Sequence, residues 1–144
     1  MVMAQSSVSS PRPLNGALER KIVAAVGGKI GDSIYINVND QAALGRANAS
    51  ATAWAKGIVV SISGHMPGTT FVAGMTIGVC FDGPLSGWTG MDLTKAIYQS
   101  STTAGGLTQT PPAGASTWTH VLGYPITSDV WMVRPTNTPP TANS

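Results

Sequence analysis

The side chains able to do acid–base, nucleophilic or metal chemistry are few: six carboxylates, two histidines and one cysteine. Glu19, Asp32, Asp40, Asp82, Asp92 and Asp129 stand apart, most of them where turns are expected. Aspartate at such positions turns or caps the backbone. Spacing along the chain does not fix spacing in space, so a carboxylate pair for glycoside hydrolysis stays open, with nothing in the sequence to favour it. His65 lies in a Gly-Pro loop and His120 in an expected strand. A zinc site needs three or four ligands, usually with close-spaced pairs, and two distant histidines with one cysteine do not supply that pattern. Cys80 beside either histidine would make a nucleophile–base pair, but no surrounding motif supports one. As a lone cysteine in an apolar run it reads as a small buried residue. Ser63-Gly64 and Ser86-Gly87 do not form a Gly-x-Ser-x-Gly elbow, and Gly27-Gly28-Lys29 lacks the spacing of a phosphate-cradling loop. The expectation is a protein that is not an enzyme, with no cofactor and no metal.

The four tryptophans are the remaining candidates for contact chemistry. Trp118 and Trp131 fall in strand-like runs and are expected in the core. Trp88 lies in a glycine loop, Ser86-Gly87-Trp88-Thr89-Gly90, where a tryptophan serves either as core packing or as an interface or ligand contact.

The elements that must position these residues are short strands. Arg20 to Val26 is the first, closed by Gly27-Gly28. Ser33 to Asp40 alternates, with Ile34, Ile36 and Val38 on one side, which is the period of a half-buried strand. In Ala47 to Ala55 alanine holds every odd position, and alanine favours helix over strand. A strand end running into one helical turn reconciles the two signals. Gly57 to Ser63 is rich in β-branched residues and reads as a strand, and the turn Gly64 to Gly68 separates it from Thr69 to Val72. Met75 to Arg134 is the best-specified stretch. Met75, Ile77, Val79 and Phe81 share one strand face, and the run is expected to stop at Gly83-Pro84. Thr76, Gly78 and Cys80 make a second face, small enough for another backbone to approach. Ile97 to Ser100 and Leu107 to Thr110 form a hairpin across Gly105-Gly106. Thr117 to Tyr124 and Val130 to Val133 complete the set. Met91 to Lys95 is a helix candidate of one turn.

Seventeen glycines and ten prolines in 144 residues agree with many turns. About eight short strands at that turn spacing indicate a small barrel or sandwich. Residues 1 to 16 are Ser-, Pro- and Gly-rich and cannot bury enough apolar surface to fold alone. They read either as a floppy tail or as an arm that orders on a neighbouring subunit. Residues 135 to 144 are a similar proline-rich tail. Charged residues make up only 10% of the chain, against roughly 25% in an average domain. Copies of the chain, or a partner, covering much of the surface would account for that. The net charge is +2, and its basic residues form no patch or stripe, which argues against nucleic acid. The lone cysteine permits no intrachain disulfide and fits a reducing compartment. No signal peptide and no run of ~18 apolar residues for a membrane span is recognisable.

Several features recur in one order. Ser33-Ile34-Tyr35-Ile36-Asn37 precedes the alanine stretch Ala47 to Ala55, and Gly57-Ile58-Val59-Val60-Ser61 leads to Asp82-Gly83-Pro84-Leu85-Ser86-Gly87. Ile97-Tyr98-Gln99-Ser100, the turn Thr103 to Pro112, and Val121-Leu122-Gly123-Tyr124 with Ile126 and Thr127 follow. In this order, over about residues 20 to 134, the chain resembles small structural proteins of tailed bacteriophages: capsid decoration or cement proteins and related head-fibre modules. Trp88 and the proline-rich tail depart from the pattern. The resemblance implies a virion structural protein that binds the outer surface of the capsid, often as a trimer, and stabilises it without catalytic residues. The expected fold is all-β, a small antiparallel β-barrel or β-sandwich with extended N- and C-terminal tails. The expected division is an N-terminal arm (1–16), a β domain (17–134) and a flexible tail (135–144). The expected partners are the major capsid protein and further copies of the chain, with no nucleic acid and no membrane, on the capsid exterior. Pro11, Arg12, Pro13 and Leu14 of the arm, and Trp88, are the candidate contacts. The alternative is a carbohydrate- or receptor-binding module of a head or tail fibre, using Trp88.

Overall fold

A computed structural model describes residues 4–5, 12–63 and 70–144 of the chain. In chain order its strands are β1 (Ala4–Gln5), β2 (Arg12–Pro13), β3 (Leu18–Val23), β4 (Gly28–Lys29), β5 (Ser33–Ile36) and β6 (Ala42–Leu44). The helical turn α1 (Ser50–Ala53) follows, then β7 (Gly57–Ile62), β8 (Thr70–Phe71), β9 (Thr76–Ser86), β10 (Trp88–Thr89) and β11 (Ile97–Gln99). Last come β12 (Leu107–Thr108), β13 (Trp118–Thr119), β14 (Val121–Pro125), β15 (Val130–Val133) and β16 (Thr141–Ala142). The protein is nearly all β, and its main antiparallel sheet curls into a half-barrel.

Strand β9 is the spine. One of its edges pairs with β3 and then β2, and the other with β7 and then β15. The sheet continues from β7 through β5 to β6, and from β15 through β14 and β11 to β12. The change of partners falls at Asp82 to Gly83: β3 and β7 hold the first half of β9, β2 and β15 the second. The expected stop at Gly83-Pro84 is therefore corrected, because the strand runs through it. Gly83 has φ 122, and a Cβ there would collide with the Ala17 backbone. Glycine is thus needed for conformation and for space. Pro84 contributes its carbonyl to Leu14 N–H at 2.9 Å. Its missing N–H falls on that same edge, in the gap between β2 and β3, so the ladder loses little.

The alternation in β9 serves two cores. Ile77 and Val79 face a cluster with Ala24, Ile34, Ala42, Val59 and Phe71, against which Met75 and Phe81 pack. Cys80 and Leu85 face a second cluster with Ile58, Trp88, Met91, Ile97, Leu107, Leu122, Trp131 and Val133. At the first cluster the half-barrel is drawn together by a parallel bridge, Ala24 to Ala42, with Ala25 N–H donating to Ala42 O at 2.8 Å.

The alanine stretch behaves as the two signals require. Its helical turn is Ser50–Ala53, and Ala47, Ala53 and Ala55 are all fully buried. Only a methyl fits where this segment meets the body. The expected strand Ser33 to Asp40 ends early, at Ile36. Asn37 Oδ1 accepts the N–H groups of Asn39 and Gln41, at 2.9 and 3.0 Å, and Asp40 takes φ 59. This side-chain-to-backbone turn throws Val38 outward, to 99% exposure, so it does not join Ile34 and Ile36. Met91 to Lys95 forms a turn, not a helix: Asp92 Oδ1 accepts from Thr94 N–H and Oγ.

Part of the 135–144 segment makes specific hydrogen bonds to the body. Thr141–Ala142 pairs antiparallel with Trp118–Thr119. Asn143 donates from its amide to Pro112 O at 3.0 Å and Thr117 Oγ1 at 3.1 Å, and its N–H bonds Thr117 O. The prolines of this segment end at Pro140, and the residues after it supply these hydrogen bonds.

Candidate functional site

Local sequence sets up a candidate contact surface, the outer edge of β3 with the arm that precedes it. β3 pairs with one strand only, β9. Ala24 N–H bonds Met75 O, and Ala24 O accepts from Gly74 N–H. Antiparallel alternation then turns the N–H and C=O groups of Val23, Lys21 and Glu19 to the far side. No described strand meets them there. Along this margin Leu14 is 41% exposed, Leu18 63%, Val23 40% and Val26 41%. The edge combines open main-chain groups, apolar side chains and the charged run Glu19-Arg20-Lys21. Charges on an edge strand guard against indiscriminate pairing, so a partner must match them.

The arm residues expected to make contacts are placed as follows. Pro11 lies outside the described residues. Arg12 and Pro13 form β2, laid against Ser86 and Leu85 of β9. Pro13 and Leu14 are exposed. Further back, Ala4–Gln5 pairs with Trp88–Thr89. Within the described residues the arm touches its own domain through main-chain pairing.

Trp88, the fifth candidate, is corrected. Gly87 at φ 115 turns the chain after β9 so that Trp88 enters the core. It is 1% exposed and meets Trp131 edge to face, with ring centroids 5.6 Å apart. Such a pair adds to the burial of two large rings, and a buried ring offers no stacking face to a sugar. The glycine loop left a surface position open, and packing against Trp131 in the core cluster makes it an inner one.

The other chemistry-bearing side chains serve the scaffold. Cys80 is fully buried, and burial, the main cause, pushes its thiol up to about 11, with neighbouring Asp82 and Glu19 charges adding to the shift. It is a thiol at neutral pH, not a nucleophilic thiolate. His120 is 2% exposed, with Nε2 3.0 Å from Ala55 O and Nδ1 3.4 Å from Thr136 Oγ1. A carbonyl only accepts, so Nε2 carries the proton and Nδ1 accepts from Thr136. Burial holds its pKa below the ordinary value, and the Lys56 charge acts the same way. Among the described residues no group of three His, Cys, Asp or Glu side chains could hold a metal ion.

Two polar clusters escaped the sequence reading. Gln99, fully buried on β11, donates to Gly45 O and Gly106 O, both at 2.9 Å, while its Oε1 accepts from Ser33 Oγ. Glu19, Lys21 and Ser61 meet over Gly78: Ser61 Oγ donates to Glu19 Oε1 at 2.8 Å, and Lys21 Nζ to Ser61 Oγ at 3.2 Å. A Cβ on Gly78 would collide with both Glu19 and Ser61. Because Lys21 donates and Glu19 accepts, the cluster is a polar brace across three strands. A glycine in mid-strand was the available signal for it. Compared with known proteins, the chain matches no family model, no curated protein and no solved structure.

Proposed function

We propose that this chain is a virion structural protein that binds the exterior of a bacteriophage capsid and stabilises it, acting by burial of surface and without catalysis. The observation carrying this reading is the β3 margin, with open main-chain groups at Glu19, Lys21 and Val23 beside exposed Leu14 and Leu18. It offers strand addition and apolar contact in one place. The body behind it suits such a role, since two well-filled cores and a spine strand with partners on both edges resist deformation. Its scarcity of charge fits a surface that is largely covered on assembly. Many copies bridging neighbouring capsid subunits turn a small free energy per contact into a large one. A homotrimer is the proposed form, with the major capsid protein as partner.

Co-sedimentation of the purified full chain with undecorated heads tests the proposal. Saturable binding that is lost on deleting residues 1–16, with the fold retained, is the expected result. Failure of the full chain to bind at all would reject the role, and undiminished binding after the deletion would reject the arm.

A further inference from the structure

At one end of the half-barrel, Ile36, Lys56, Phe81, Pro135, Thr136 and Asn137 line an open groove of about 330 Å³. Ile36 and Phe81 form its apolar floor, both packed against the cluster around Ile77 and Val79. The segment leaving β15 supplies one wall, where Thr136 and Asn137 offer hydrogen-bonding groups. That wall is fixed through Thr136 to buried His120 and through Thr136 N–H to Val121 O. The volume lies at the small end of ligand sites and accepts one apolar side chain with its flanking backbone.

The charges around it are unusual for this chain. Lys21, Lys29, Lys95 and Arg134 each have a carboxylate partner, and Arg46 donates to Ser101 O. Lys56 and Arg20 have no carboxylate partner among the described residues. Lys56 Nζ sits 3.9 Å from the centroid of the Trp54 ring, and the Arg20 guanidinium lies 5.9 Å from that of Phe81. Both cations are therefore held over aromatic faces beside one groove. Asp82, next to Phe81 in β9, is paired with Arg134. Partial desolvation already lowers the pKa of Lys56, a cost that an incoming anion would relieve.

We infer that this groove is a docking site for an acidic peptide segment of a partner protein, one apolar side chain entering over Ile36 and Phe81 while flanking carboxylates meet Lys56 and Arg20. The inference is independent of the capsid reading, since it rests on the groove alone.

The test is a titration of the ¹⁵N-labelled full chain with acetyl-Asp-Leu-Asp-amide, followed by amide shifts. Saturable shifts are expected at Ile36, Lys56, Phe81, Thr136 and Asn137. Affinity of the acidic peptide should fall about fivefold or more on the Lys56→Gln protein, the scale of one partly exposed ion pair, and further still for acetyl-Asn-Leu-Asn-amide on the wild-type protein, which loses both pairs. Lys56 is at the surface, so an unchanged spectrum away from the groove verifies that this variant folds. A Lys56→Arg protein should keep the affinity. Shifts that do not saturate, shifts centred elsewhere, or equal binding of the neutral peptide would each overturn the inference.

Discussion

At the scale of single residues, His120 links protonation to stability. Its ring is held neutral by burial and by the Lys56 charge, which outweigh the bond from Nε2 to Ala55 O that favours the protonated ring. The folded-state pKa lies below the ordinary value of 6.5. Above that value both folded and unfolded chains hold a neutral ring, and the His120 contribution is fully present. As pH falls below it, the unfolded chain takes up a proton that the folded chain refuses, so stability declines until the lower folded-state pKa is reached. Urea midpoints of the wild-type protein should fall with acidification through this window. In His120→Gln that component of the decline should be missing, although the variant starts less stable. Trp88 tests a different point. Removing its ring should cost about 3–5 kcal/mol of folding stability, as for other large buried aromatics, measured by urea denaturation. A neutral Trp88→Ala would mean that the ring is not in the core. Trp88 was legible as notable from its glycine loop, but not as buried. That depended on packing against Trp131 and the core cluster, whose members are distant in sequence.

At the scale of elements, the strand pattern in the sequence located most of what forms. The β-branched run at Gly57, the alternation in Met75 to Phe81, the hairpin across Gly105-Gly106 and the short strand at Val130 all follow from period and turn chemistry. The failures have local causes. Asn37 cut one strand short with its own side chain. Gly83 and Pro84 were read as a terminator, whereas the partner strands on each side change there and tolerate both residues. Gly83→Ala should therefore be severe, combining a strained φ with a backbone collision, and should cost about 2 kcal/mol or more. Gly74→Ala also has positive φ, but its Cβ would meet open space, so about 1 kcal/mol is expected. Equal losses in urea melts would contradict the role given to the Ala17 contact. The C-terminal segment gives a sharper test. Asn143→Ala removes amide bonds to Pro112 O and Thr117 Oγ1 and should cost about 1–2 kcal/mol. A loose tail would make that substitution neutral. Hydrogen exchange at Asn143 N–H, protected in the folded chain, checks the same pairing without mutation.

At the scale of the whole molecule, the fold class was legible and the contact surface was not. Glycine, proline and β-branched spacing fix an all-β chain whatever its topology. Which strand becomes an edge depends on how the sheet branches at β9; the charged run Glu19-Arg20-Lys21 suits an edge but does not by itself fix one. The open edge bears on assembly. If copies join through it, the free protein should sediment as an oligomer, a trimer in the proposed form. Placing proline at Lys21, whose N–H points outward, should weaken association while keeping the β9 ladder, at the cost of the Lys21 side-chain bonds to Ser61 and Glu19; Lys21→Ala, which loses only those bonds, is the control. A strictly monomeric mass at high protein concentration would count against the trimer. The central claim is occupancy of a shell exterior, and cryo-electron microscopy of heads reconstituted with the full chain tests it most directly. Ordered density of this fold on the outer surface, repeated with the shell's symmetry and with the β3 margin turned to the shell or to a neighbouring copy, is the expected result. Heads that stay bare at saturating protein would contradict it.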